Sequence, residues 1–392
     1  MERASDTPRT GWLLVFLLYA AGLGAAAQYG KVSVVFDRLP ELWPGAGPTL
    51  GFALSLVGFV GILLGVTAGI VVAKVRYRRA MIWALWAGAA ISAFQATLPP
   101  LPLFLASRVL EGMSHLALVV AAPTLIAQLS APEDRGVSLT LWGTFFGVAF
   151  TILVWAGIPF ADRMGLPGLF LAHAAYMAVC AVILTLVLPR VQAAEAQGDL
   201  SVAGILRRHG AIYRSARISA PAVAWLSYTF TYVSLLTLLP PFIAPEWRVL
   251  IVGGMPLVSI ASSLTLGVAL LRRMPAVRVI VTGFAGAGVA ALALAFMPGN
   301  PALCLLLAAA LGLVQGAGFA AVPELNQPLP DRAAANGALA QTGNIGNTLG
   351  PPLLLAVATL GGYAAMMLVA AAILAAGILG QHWLARRRAA GF

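Results

Sequence analysis

The chain has 392 residues, of which 60% are hydrophobic and only 9% charged, with a formal net charge of +11. Soluble domains carry about 25% charged residues, so this composition excludes a water-soluble globular protein. The basic excess sits in short loops rather than being interleaved with aromatics on a polar domain, which argues against a nucleic-acid surface.

Crossing a ~30 Å hydrocarbon core takes ~20 apolar residues in a helix. From the N-terminus, such segments occupy 11–36, 48–73, 80–98, 102–128, 136–158, 167–188, 220–243, 250–271, 277–297, 302–322, 334–357 and 362–384. Strand alternation is weak and Ala, Leu and Gly abound, so each segment is predicted to satisfy its own backbone as a helix. The expected fold is an all-α integral membrane protein whose twelve transmembrane helices form two six-helix bundles.

Segment one contains Ala25-Ala26-Ala27 before Gln28, a small-residue run that resembles a signal-peptidase site. The region before it mixes Glu2 and Asp6 with Arg3 and Arg9, and apolar sequence continues to Phe36, so an uncleaved helix is expected. Lys31 lies towards its far end with Gln28 and Tyr29 nearby. Two readings stand for this lysine: it attracts an anionic group of a solute, or it snorkels to the boundary.

Segment four holds Arg108, Glu111 and His115, which project within roughly 60° of one another on one helix face beside Gly112. A charge in hydrocarbon costs ~2.5–3.5 kcal/mol on insertion scales, so three ionisable groups there call for a use. Arg108 alone is near enough to a boundary to snorkel. Glu111 is either a static partner of Arg108 at i, i+3 or a coupling acid, and His115 is a switchable group or an interhelical hydrogen bonder. Arg163 and His173, near segment six, are expected at the boundary.

The longest polar stretch, 189–219, contains Glu195, Gly198, Asp199, Arg207 and Arg208 and divides the chain into 1–188, a linker, and 220–392. In segment seven Trp225, Tyr228 and Tyr232 share one face, as pocket lining or as packing. Gln315 in segment ten and Gln341, Asn344, Asn347 and Thr348 in segment eleven are either solute contacts or interhelical glue. Gly343, Gly346 and Gly350 form a separate stripe suited to close helix contact. Glu324 is an inner gate or a solvent-exposed acid.

With the N-terminus inside, nineteen Lys and Arg residues fall on the cytoplasmic side and three (Arg38, Arg163, Arg248) on the other. That asymmetry places both termini in the cytoplasm of a multi-pass protein of the cell (inner) membrane. The halves also echo each other. Lys74 and Arg272 follow segments two and eight at an offset of 198, and Arg135 and Arg332 precede segments five and eleven at an offset of 197. Parallel repeats of this kind place a solute site near the midplane between halves. The 197 offset sets Leu305, Ala308 and Gly312 opposite Arg108, Glu111 and His115, so the duplicated scaffold does not require these charges.

No enzyme motif appears: G-x-S-x-G, H-E-x-x-H and C-x-x-C are missing, and Gly30-Lys31 is followed by Val32 where a phosphate loop needs Ser or Thr. Cys180 and Cys304 make neither a disulfide framework nor a metal set. The chain is therefore expected to be no enzyme, with no metal and no cofactor.

Six plus six segments, basic loops after the second and eighth, and Arg108-Val109-Leu110-Glu111-Gly112 resemble the major facilitator superfamily. The resemblance covers nearly the whole chain. It implies alternating access, and it ties the segment-four arginine to proton transfer. The family's loop motif is degraded over 69–78, with Ala73 at its acidic position, and the drug-antiporter motif has Gly143 and Gly147 but Val148 in place of Pro.

The combined reading is a monomeric, proton-coupled secondary transporter, in symport, of a small polar solute, anionic or zwitterionic. Glu111, Arg108 and His115 are the expected coupling residues. Lys31, Gln28, Tyr228, Tyr232, Trp225, Gln315, Gln341 and Asn344 are the expected solute contacts. A proton-driven drug or metabolite exporter is the alternative, and a membrane receptor or scaffold the reading from another class.

Overall fold

The computed structural model describes residues 9–65, 67–189 and 201–390. Expectations that concern Glu2, Arg3, Asp6, Arg190, Glu195, Gly198 and Asp199 lie outside these residues. Among the described residues there is no strand.

Among the described residues, eight helical stretches are long and apolar enough to cross a membrane. Two of them, Phe145–Val187 and Asp331–Ala389, bend back at Gly165 (φ 71°) and Gly362 (φ 79°) and so hold two crossings each. Glycine alone takes this left-handed backbone without a Cβ penalty. Tyr77–Gln95 and Ser219–Leu238, of more mixed polarity, complete the twelve.

The membrane helices are α1 (Trp12–Ser33), α2 (50–64, continued by Ala68–Val75), α3 (Tyr77–Gln95), α4 (Leu101–Leu129), α5 (135–164) and α6 (166–187), then α7 (Ser219–Leu238), α8 (245–271), α9 (Ala276–Phe296), α10 (Pro301–Leu325), α11 (329–361) and α12 (363–389). A connecting helix, Val202–Arg214, is capped by Ser201 Oγ, which accepts from Gly204 N at 3.1 Å. Starts and ends overrun the apolar segments by five residues at 329 and 389 and by six at 164, because a helix continues into polar surroundings where water satisfies its termini.

Gly165 and Gly362 stand 197 apart, so the bend between α5 and α6 recurs between α11 and α12. The register of α4 against α10 is different. Both helices press a glycine onto a neighbouring backbone: a Cβ on Gly112 would strike Val57 O of α2, and one on Gly312 would strike Ser259 O of α8. Pro123 and Pro323 lie inside the two helices at the same spacing of 200. The equivalents of Arg108 and Glu111 are thus Ala308 and Leu311, apolar as expected. The counterparts expected at Leu305, Ala308 and Gly312 are thereby each moved three residues on, and that of His115 becomes the polar Gln315, because the glycine contact fixes the register.

The halves meet along two seams. In α2 the glycines Gly51, Gly58, Gly61 and Gly65 face Pro352, Thr348, Asn344 and Gln341 of α11. In α5 Gly147 packs on Pro256 and Ile260 of α8, while Thr151 Oγ1 donates to Gly253 O at 2.9 Å and Trp155 Nε1 to Val249 O at 3.2 Å. At the far ends of α1 and α7, Ser33 and Thr237 hydroxyls are hydrogen-bonded. Towards the face where α1 starts and α12 ends, α5 and α8 part around a cleft of about 490 Å³ lined by Glu133, Val137, Thr140, Leu141, Thr144 and Leu264.

Candidate functional site

Arg108, Glu111 and His115 emerge on one face of α4, as the helical period dictates, and that face turns inward. Arg108 and Glu111 are wholly inaccessible. Arg108 does not snorkel: Nε donates to Ala53 O at 2.7 Å, Nη2 to Gln28 O at 2.7 Å and Nη1 to Glu111 Oε2.

Lys31 is equally buried, which removes its boundary reading. The chain beyond α1 folds back in short turns over Phe36–Arg38 and Leu39–Leu42, and the Phe170 ring lies 5.5 Å from Nζ, so no path to the interface remains. Nζ donates to Glu111 Oε1 at 2.6 Å, to Ser92 Oγ at 2.8 Å and to His173 Nδ1 at 3.3 Å. All three ammonium hydrogens have acceptors.

His173 was expected at the boundary, yet it is buried inside this cluster. Its place follows from α6 starting at 166, which sets the residue two turns into the helix. Nε2 faces Gly24 O at 3.0 Å, a group that only accepts, so this nitrogen carries the proton. Nδ1 then offers its lone pair, with Ser92 Oγ at 3.0 Å and Lys31 Nζ at 3.3 Å both within reach. Ser92 Oγ donates to Phe170 O at 2.9 Å and accepts from the lysine.

Glu111 accepts from three groups: Lys31, Arg108, and Gln95 Nε2 at 2.9 Å. Only donors surround the carboxylate. Gln95 also donates to Ser107 Oγ at 3.0 Å. Lys31 and Arg108 against one Glu111 leave a net charge of +1 with no second buried acid among the described residues. His115 hydrogen-bonds Ala25 O through Nδ1 at 3.0 Å and stacks edge-on against Tyr29 with centroids 5.0 Å apart. Gln28 donates to Ser114 Oγ at 2.9 Å while its own Oε1 has no partner.

The remaining expected contacts form two other groups. Trp225, Tyr228 and Tyr232 stack in sequence along α7, with centroids 4.8 and 5.2 Å apart, and Trp225 also meets Phe319 of α10. Both tyrosines are buried, and Gln315 is half-buried on α10.

Gln341 is engaged by protein on every side. Its Nε2 donates to Ile62 O of α2 at 2.7 Å and meets His209 Nε2 at 2.8 Å, while Oε1 accepts from Tyr213 OH at 2.7 Å. It links α2, α11 and the connecting helix. Asn344 donates to Ala340 O of its own helix at 2.8 Å and packs on Gly61. In this conformation the amide face of α11 seats in the α2 glycine stripe, and Gly343, Gly346 and Gly350 receive α7. Glu324 accepts from Ala276 N at 3.0 Å and so caps α9; Arg163 is exposed.

Sequence reasoning missed Ser92, Gln95 and His173. The available signal was a polar side chain inside an otherwise apolar span, but nothing in the spacing of α3 or α6 ties those residues to Lys31.

A family model described as the Major Facilitator Superfamily matches residues 15–327. Among solved structures, the chain is similar to the E. coli fucose:proton symporter FucP, with a TM-score of 0.66, 17% identity, and coverage of 96% of this chain and 99% of that one. It is also similar to a Major Facilitator Superfamily transporter, FucP, in the outward conformation, with a TM-score of 0.65, 16% identity, and coverage of 95% and 98%. At these identities the likeness is one of fold. Among curated proteins none matches the sequence.

Proposed function

The chain belongs to the major facilitator superfamily and is a multi-pass secondary transporter of small molecules, not an enzyme, and on that footing we propose that it carries a polar anion together with protons. The observation that supports the anion is the uncompensated +1 charge of the buried Lys31–Glu111–Arg108 cluster. An unpaired buried charge costs several kcal/mol, about 3–5 where a partner is lost. A solute carboxylate or comparable anion supplies the missing charge.

Glu111 is the proposed coupling acid, with Arg108 and His115 beside it. It competes with the solute for the same two cations. Protonating Glu111 releases Lys31 and Arg108 to an incoming anion, so anion and proton load together, which is symport. The similar structures belong to a fucose:proton symporter, in line with proton coupling though not with a particular solute. Tyr228, Tyr232, Trp225 and Gln315 are proposed to complete the solute pocket from the second half, and Gln28 from the first. Gln341 and Asn344 would join it once the α2–α11 seam opens.

The charge asymmetry of the loops supports cytoplasmic termini, and the protein is proposed to work as a monomer of the inner membrane. The cleft between α5 and α8 then opens to the cytoplasmic side. Residues 1–188 and 220–392 are proposed to rock about the two seams, with 189–219 as the cytoplasmic linker.

The test is flux in proteoliposomes with a panel of anionic, neutral and cationic solutes under an imposed pH gradient. Accumulation of an anion driven by the gradient is expected. Glu111→Gln should abolish uphill accumulation while sparing downhill exchange. Gradient-driven accumulation that survives this substitution refutes the assignment of Glu111, and binding without flux refutes transport.

A further inference from the structure

The end of α12 forms a fixed corner with the stretch that joins the connecting helix to α7. Gln381 Nε2 donates to Ala220 O at 2.9 Å, Arg387 Nη2 to Arg214 O at 3.2 Å and Arg388 Nη1 to Ala216 O at 3.1 Å. Leu384 is buried against Ala216 and Ala220. Backbone carbonyls orient two guanidinium groups here.

More positive charge converges on the same corner. Arg214 ends the connecting helix, and Arg217 lies within electrostatic reach of Arg388. Among the described residues the ion pairs are Lys31–Glu111, Arg108–Glu111 and Arg38–Asp162, so none neutralises Arg214, Arg217, Arg386 or Arg388. Like charges held together by packing favour a bound anion.

The lipid-facing side of α12 runs directly into this charge. Leu379 and Trp383, four residues apart, are 70% and 57% exposed on one helix face. Arg386 and Arg387 continue that face, with the Arg387 guanidinium 5.0 Å from the Trp383 ring centroid. Trp383, Arg386, Arg387 and Ala390 line an open cleft of about 460 Å³. Indole rings settle at the headgroup level of a bilayer, so Trp383 sets the depth at which the arginines meet lipid.

We propose that this corner binds the phosphate headgroup of an anionic phospholipid, with Arg386 on the phosphate beside the Trp383–Arg387 pair, Trp383 at the glycerol level and an acyl chain along Leu379. Basic pockets at the cytoplasmic ends of membrane helices are suited to such headgroups. A general excess of positive charge on one face would not require an exposed tryptophan, a cleft and backbone-oriented guanidiniums at one place. The inference is independent of which solute is carried.

The experiment is thermal unfolding of the purified full chain in detergent, titrated with phosphatidylglycerol, phosphatidylcholine, inorganic phosphate or glycerophosphoglycerol. Phosphatidylglycerol alone should stabilise the protein. Trp383→Leu/Arg386→Gln should weaken its apparent affinity at least tenfold, while the control Arg272→Gln/Arg273→Gln, which removes more charge from another loop, should leave it within twofold. Equal loss in both variants would show a diffuse charge effect and overturn the site. Equal stabilisation by inorganic phosphate or glycerophosphoglycerol would make it a soluble-anion site and overturn the lipid assignment. Should the double variant fail to fold, native mass spectrometry of the unmodified chain with an equimolar lipid mixture decides: preferential retention of phosphatidylglycerol over phosphatidylcholine supports the proposal, and a ratio of one overturns it.

Discussion

Replacing Glu111 with glutamine removes the sole counter-charge shared by Lys31 and Arg108 and takes the buried cluster from +1 to +2. The amide also brings an N–H towards a wall of donors, since Lys31, Arg108 and Gln95 all donate to the carboxylate. Breaking a buried pair in this way costs about 3–5 kcal/mol. With an unfolding entropy of ~2.1 cal/mol/K per residue, that lowers Tm by about 4–6 °C for a chain of this length. Lys31→Met should cost less, about 1–3 kcal/mol, because Glu111 keeps Arg108 and Gln95 and only neutral acceptors are left over. Combining the two substitutions restores the net charge to +1, so the double variant should be more stable than the sum of the singles by about 1–3 kcal/mol. The assay is a double-mutant cycle read by thermal unfolding in one detergent at pH 7. Strict additivity, or a Glu111→Gln protein as stable as the parent, would refute the charge count on which the anion assignment rests.

Three further outcomes are expected. Cysteines replacing Ser33 and Thr237, whose hydroxyls are hydrogen-bonded across the halves, should cross-link under mild oxidation and stop transport, with recovery on reduction; flux that persists in the cross-linked protein would contradict alternating access through that face. Gln341→Ala removes the contacts to Ile62, His209 and Tyr213, so it should cost about 1–3 kcal/mol and speed tryptic cleavage after Arg207 or Arg208 several-fold; unchanged cleavage would show that the connecting helix is held elsewhere. Burial pushes the Tyr213 hydroxyl up to about 12. The neutral form is favoured in the folded chain, so its contribution to stability is complete below pH 10 and is lost as pH rises towards 12. Spectrophotometric titrations of the parent and of Tyr213→Phe should coincide near pH 10 and differ by one tyrosine only as pH approaches 12; a one-tyrosine difference already complete near pH 10 would refute this.

Composition and hydrophobic period by themselves determined that the chain lies in lipid, that it crosses twelve times, and that Arg108, Glu111 and His115 share one face of α4. Those properties are local: the cost of a bare backbone in hydrocarbon and the 3.6-residue turn are the same wherever a helix packs. The duplication was also legible, through its basic loops and through Pro123 and Pro323, although the 197 spacing of the loops did not carry over to α4 and α10. Tertiary structure alone decided the partners. Lys31 pairs with Glu111 across 80 residues of sequence and with His173 across 142. Gln341 is drawn to a carbonyl of α2 and to the connecting helix rather than held open for solute. Helical periodicity says which residues share a face, but not which helix that face will meet. In a membrane, lipid is as apolar as the helix surfaces, so hydrophobicity cannot choose the neighbour. Close glycine contacts, such as Gly112 on Val57 and Gly58 against Thr348, make that choice, and they fix which buried charges find each other.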